Sequence, residues 1–100
     1  MLFDQVKGEL ELTERHLLVL KKVIESEPIG ILKLSEETNM PTHKVRYSLR
    51  VLEQERLIKP SAHGAVVGEN VKEFLSSFEN EIDGIMKKAK LVREIGKSIE

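Results

Sequence analysis

One hundred residues with 40% hydrophobic content are enough for one modest core, so a single small domain plus an appendage is expected, and these residues leave no room for a separate ligand-binding domain. The absence of cysteine excludes disulfides, zinc ribbons and thiol catalysis, and leaves His16, His43 and His63 as the only nitrogen ligands for a metal. The net charge is −1, no stretch approaches the ~20 consecutive apolar residues of a membrane helix, and the opening MLFDQVKGEL has no run of signal-peptide type, so the chain is expected to be soluble and cytoplasmic with no membrane partner.

The charge is unevenly distributed. Residues 1–39 carry five basic and eight acidic side chains. Residues 40–63 reverse the balance, with Lys44, Arg46, Arg50, Arg56 and Lys59 against Glu53 and Glu55, and residues 64–100 hold six basic against seven acidic.

The N-terminal ten residues suit two readings: Leu2, Phe3, Val6 and Leu10 form a short helix that adds to a dimer interface, or the segment is a frayed tail. Thr13 can cap the helix that follows, with Leu12 packing from outside, and ERHLLVLKKVIES predicts that helix from about Thr13 to Glu27. Leu17, Leu20 and Ile24 make one apolar stripe and Val19 and Val23, with His16, a second, so this helix packs between two partners. Pro28 and Gly30 stop it. Ile31 is expected in a one- or two-residue strand before a short helix, LKLSEET, with Leu34 inward and Ser35 small enough for close approach.

Asn39 tolerates a left-handed turn, and Met40-Pro41 starts a third helix, PTHKVRYSLRVLEQE. Its inward positions are Val45, Leu49 and Leu52, with Ser48 small. Thr42, His43, Lys44, Arg46, Tyr47 and Arg50 face out. Lys59-Pro60-Ser61 reads as an edge strand, Gly64 as a turn and Ala65-Val66-Val67 as the return strand of a β-hairpin. From Asn70 to near Ile95 one long amphipathic helix is predicted, with Val71, Leu75, Phe78, Ile82, Ile85, Ala89 and Val92 spaced 4-3-4-3-4-3 in a coiled-coil seam. A helix of about 39 Å exceeds what a core of this size covers, so a second chain is the expected cover. Phe74, Met86, Leu91 and Ile95 widen the apolar face, which suits packing on the helix's own domain as well.

The stretch LKLSEETNMPTHKVRYSLRVLEQERLIKPS resembles the core of the winged helix-turn-helix superfamily, and the whole chain looks like the small archaeal predicted transcriptional regulators built on it. The resemblance covers residues 12–68 and is carried by the spacing of Leu34, Ser35, Met40, Val45, Leu49, Leu52, Leu57 and Ile58. It implies a mostly α fold with a small β-hairpin: a winged helix-turn-helix domain over 1–68 and a C-terminal dimerisation helix over 69–100. Asn39 stands where the family's turn usually has glycine, and Arg56 stands where glycine usually closes the recognition helix. Arg56 therefore either adopts a left-handed conformation at roughly 1 kcal/mol or the helix closes differently.

The function implied is a homodimeric, sequence-specific transcriptional regulator that binds double-stranded DNA. Thr42, His43, Arg46 and Tyr47 approach base edges, Arg46 as a bidentate partner for guanine, while Lys44 and Arg50 neutralise phosphates. Lys59 and His63 in the wing touch the backbone or the minor groove, although the wing arginine common in the family is missing. The alternatives are a solvated helix face and a module that docks on transcription machinery or another complex. The histidines have no metal-ligand spacing, no phosphate loop or nucleophile elbow is present, and neither cofactor nor enzymatic activity is expected.

Overall fold

The computed structural model describes residues 1–99 and consists of four helices and one hairpin: α1 Asp4–Ser26, α2 Ile31–Thr38, α3 Thr42–Gln54, β1 Ile58–Ser61, β2 Gly64–Val67 and α4 Val71–Lys97. The fold is mostly α with a two-stranded antiparallel sheet and a long C-terminal helix, as expected.

α1 begins nine residues before the predicted start. Nothing from Asp4 to Ser26 breaks a helix, since Gly8 is a single weak position, and Asp4 places a carboxylate at the positive end of the helix. Thr13 is no cap: it sits in mid-helix and its hydroxyl donates back to the Glu9 carbonyl at 2.9 Å. The first ten residues are thus neither a separate short helix nor a tail; from Asp4 on they extend α1 out of the core, with Leu2, Phe3, Val6 and Leu10 exposed.

Within α1, Val19, Leu20 and Val23 enter the core with Ile29, Leu34, Val45, Leu52, Leu57, Ile58 and Val71. Burying each of the larger of these is worth about 1.5–3 kcal/mol. Ile24 is left 40% exposed, so the second predicted stripe is the deeper one. Lys22 ties α1 to α2 through Glu37 at 3.3 Å, and Lys33 reaches the same carboxylate at 3.3 Å.

Asn39 takes the left-handed conformation, φ 55°, that its place in the turn predicted. Ser35 contributes more than small size, because its hydroxyl donates to the Met40 carbonyl across that turn. α3 then packs Val45, Ser48 and Leu52 inward, with Leu49 only partly buried.

The close of α3 is a Schellman motif. Arg56 is left-handed at φ 58°, its N–H donates to the Glu53 carbonyl at 2.9 Å and the Leu57 N–H donates to the Leu52 carbonyl at 2.9 Å. Leu52 and Leu57 are both buried, which supplies the apolar contact that accompanies such a cap. Gly68 and Asn70 hold the motif from the other side: the Gly68 N–H donates to the Leu57 carbonyl at 2.9 Å and the Asn70 N–H to the Arg56 carbonyl at 3.0 Å.

In the hairpin, Ile58 pairs with Val67 and Ser61 with Gly64. The additional strand residue is Ile29 rather than Ile31: Ile29 exchanges both backbone hydrogen bonds with Ala65, at 3.1 and 2.8 Å, whereas Ile31 opens α2. Gly64, at φ 123°, is required there, because a Cβ would lie 2.5 Å from the Ile29 carbonyl carbon.

α4 joins this core only at its base. Val71 is buried, so the first position of the predicted seam belongs to the protein's own core, and Phe74 packs beside it. Beyond, the helix runs out into an elongated molecule of 58 × 29 × 19 Å.

Candidate nucleic-acid interface

α3 carries six of the eight residues expected at DNA, and its orientation follows from burial of Val45, Ser48 and Leu52. That leaves His43, Lys44, Arg46 and Arg50 exposed, while Thr42, at the first turn, is partly buried. Among the described residues, the side-chain ion pairs within and between helices involve Lys22 and Lys33; Lys44, Arg46, Arg50 and Lys59 enter none. Glu53 and Glu55, the acids of the segment, lie at the C-terminal end, away from Lys44 and Arg46.

The start of α3 is electropositive by construction. Pro41 is the cap residue, no side chain caps the helix and no acid occupies its first turn. The leading N–H groups and the aligned peptide dipoles therefore face outward without a carboxylate of their own element.

Arg15, which sequence reasoning passed over, belongs to the same surface. With Lys44, Asn39, Met40 and Pro41 it lines a shallow groove beside the turn between α2 and α3, where Glu11 is the acidic member. Gly8, Glu11 and Leu12 precede a helix predicted to begin at Thr13, so only the longer α1 brings them to that turn, whereas Arg15 falls within the predicted helix and its place there follows from how α1 crosses α3.

Tyr47 and His16 meet at the edge of this face. Tyr47 is 45% exposed, and its ring lies 5.8 Å from that of His16 at an interplanar angle of 47°. His16 also hydrogen-bonds through Nδ1 to Ser48 Oγ at 2.8 Å. Ser48 is fully buried, and a hydroxyl in that position needs a partner. Through Tyr47 and Ser48, His16 joins α1 to α3, while Tyr47 stays exposed on the face where the sequence placed it. Burial, and secondarily the Arg15 charge, hold the His16 pKa below its ordinary value of 6.5.

Lys59 and His63 are exposed on the hairpin. The tip is tight: Ser61 Oγ donates to the Gly64 carbonyl at 2.6 Å and accepts from the His63 N–H at 3.3 Å.

No family model and no curated protein matches the chain. Among solved structures, a protein of unknown function from Listeria innocua Clip11262 is similar, with a TM-score of 0.57 and 13% identity over 98% of this chain and 91% of that chain. At this identity the likeness speaks to the fold alone, and its coverage spans α4 as well as the core formed by α1 to α3 and the hairpin.

On α4 the remaining seam positions fall into two groups. Phe78 and Ile82 are half-buried, Phe78 with its ring 5.7 Å from that of Phe74. Leu75, Ile85, Ala89 and Val92 are exposed, as are Met86, Leu91 and Ile95. Leu17, Leu20 and Ile24 of α1 and Phe74, Leu75 and Phe78 of α4 line an apolar groove of about 360 Å³. Among the described residues no three His, Asp or Glu side chains converge as a metal site would require, and no helix is long and apolar enough to cross a membrane.

Proposed function

We propose that the chain is a homodimeric, sequence-specific DNA-binding regulator of transcription that inserts α3 into the major groove. The observation that carries this reading is the exposed face of α3, where Lys44, Arg46 and Arg50 have no acidic partner and follow an uncapped helix start. Positive side chains beside unpaired N–H groups suit a phosphate backbone, and a helix projecting from a rigid three-helix core suits a groove about 12 Å wide.

Each residue then has a role. Arg46, one turn into α3, reaches base edges with His43 and Thr42, and its planar guanidinium matches the two acceptors of guanine. Lys44, Arg50 and Arg15 contact phosphates on either side, and Lys59 and His63 meet the backbone beside the wing. Tyr47 and His16 hold the angle of α3. A second copy, joined through the apolar face of α4, presents two such helices to a pseudo-palindromic site.

Selection of bound duplexes from a random pool, followed by titration of variants, tests these roles. Arg46→Ala is expected to cost roughly 1–3 kcal/mol on the preferred site and to relax the preference at one base pair, whereas Lys44→Ala weakens all sequences alike. If both variants retain the same base preference, the assignment fails.

A further inference from the structure

The charge on α4 is divided between its halves. Residues 71–83 carry Glu73, Glu79, Glu81 and Asp83 against Lys72; residues 84–97 carry Lys87, Lys88, Lys90, Arg93 and Lys97 against Glu94. The apolar face is shared by both halves, with Leu75 53%, Ile85 49%, Val92 44% and Ile95 63% exposed.

We infer that two copies of α4 pair antiparallel, with the two-fold axis between Ile82 and Ile85, so that the C-terminal turns of each helix close the apolar groove between α1 and α4 of the other copy. The inference rests on the homodimer proposed above and supplies its orientation and register.

Charge decides the direction. Antiparallel pairing lays the acidic half of each helix on the basic half of the other, whereas parallel pairing stacks like on like and brings Lys88 beside Arg93 of the second copy at the flanking positions of the seam. Charge also selects the register. With the axis between Ile82 and Ile85, Glu81 neighbours Lys88 of the second copy, and the apolar Phe74 neighbours Ile95. A shift of one heptad in one direction sets Glu79 and Glu81 each against its own copy; a shift in the other sets Lys88 against Lys88. The chosen register leaves one like-charged pair, Lys72 with Arg93, at the ends of the interface, where solvent screens it.

Packing is consistent with the same register. Ile82 meets Ile85 of the second copy, the large Phe78 meets the small Ala89, and Leu75 meets Val92, which is the large-with-small alternation that fills an interface without voids. Val92 and Ile95 of the second copy then arrive where Phe74, Leu75 and Phe78 line the open groove against Leu17, Leu20 and Ile24. Parallel pairing would send those turns away from both domains and leave the groove empty.

The absence of cysteine permits a direct test. Leu75→Cys, Val92→Cys and the double variant are oxidised as full-length protein, and cross-linking is read on a non-reducing gel beside light scattering of the unmodified chain. The expected result is a dimer in light scattering, complete cross-linking of the double variant and none of either single variant, because residue 75 faces residue 92 and not its own copy. Self-linking of the single variants establishes a parallel dimer and overturns the inference while the homodimer stands. A dimer in which nothing cross-links overturns the register and direction together. A monomer in light scattering removes the homodimer itself. A charge exchange gives an independent reading: Glu81→Lys alone and Lys88→Glu alone are each expected to raise the dimer Kd on the order of tenfold, and the two together to restore it. Failure of the double exchange to restore the Kd refutes the Glu81–Lys88 contact.

Discussion

Arg56 closes α3 in a conformation that costs an arginine free energy, so Arg56→Gly is expected to stabilise the protein. At φ 58° the left-handed region penalises a residue with a Cβ by roughly 1–2 kcal/mol, and glycine avoids that penalty. Glycine also gains freedom in the unfolded chain, which takes back about 0.5–1 kcal/mol. At mid-range the difference is a gain of about 0.75 kcal/mol, because the hydrogen bonds of the cap are made by backbone atoms that the substitution leaves in place. In a domain of this size 1 kcal/mol moves Tm by about 4–8 °C, so thermal unfolding followed by circular dichroism, at one fixed protomer concentration, is expected to rise by about 3–6 °C. Arg56→Ala is the control: it keeps the Cβ and the penalty, and gains nothing. A fall in Tm for Arg56→Gly, or an equal rise for both variants, would refute the reasoning, since the left-handed backbone would then not be the source of the cost.

Gly68→Ala is expected to act in the opposite direction on the same cap, because a Cβ there lies 2.4 Å from the Arg56 carbonyl oxygen; overpacking of this kind costs about 1–3 kcal/mol, and a Tm equal to that of the unmodified protein would contradict it. The depressed pKa of His16 makes the unfolded chain bind more protons as pH falls below the ordinary value of 6.5. Its contribution to stability is therefore complete above that pH and is lost as pH falls through the lowered value. Melting curves across this range should show the loss for the unmodified protein and a flatter profile for His16→Gln; identical profiles would mean that His16 titrates as it does in water. Glu37, lowered by hydrogen bonds from Lys22 and Lys33, acts in a separate window, since its contribution is lost only as pH falls below its ordinary value of 4.5.

The elements that sequence reasoning placed well are those whose local signals agree. Asn39 and Pro41 mark the turn into α3, Val45, Leu49 and Leu52 repeat at helical spacing within it, and Gly64 marks the turn between the edge strand at Pro60 and the apolar Ala65-Val66-Val67; propensity, periodicity and turn chemistry point the same way. The start of α1 was misplaced because Thr13 satisfies a local capping pattern and also serves in mid-helix by bonding back to Glu9. Only the absence of a breaker between Asp4 and Thr13 distinguishes the two, and that is a weak signal. The Ile29 bridge, the hydrogen bond from Gly68 to Leu57 beside the Arg56 cap and the His16–Ser48 contact join residues 36, 11 and 32 positions apart in sequence, and no periodicity announces them. The same holds for the candidate site. The exposed basic face of α3 follows from spacing, whereas the arrival of Arg15 beside Lys44 and the contact of Tyr47 with His16 depend on how α1 crosses α3.

The most direct test of the account is titration of the unmodified protein against selected duplex DNA at about 50 mM and 200 mM salt. Lys44, Arg50 and further cations on each of two protomers give roughly four to eight phosphate contacts, and the counterions they release should lower the affinity by about two to four orders of magnitude over that range. Binding that is absent at the lower salt, or that is unchanged between the two, would contradict the reading of α3 as a DNA-binding helix.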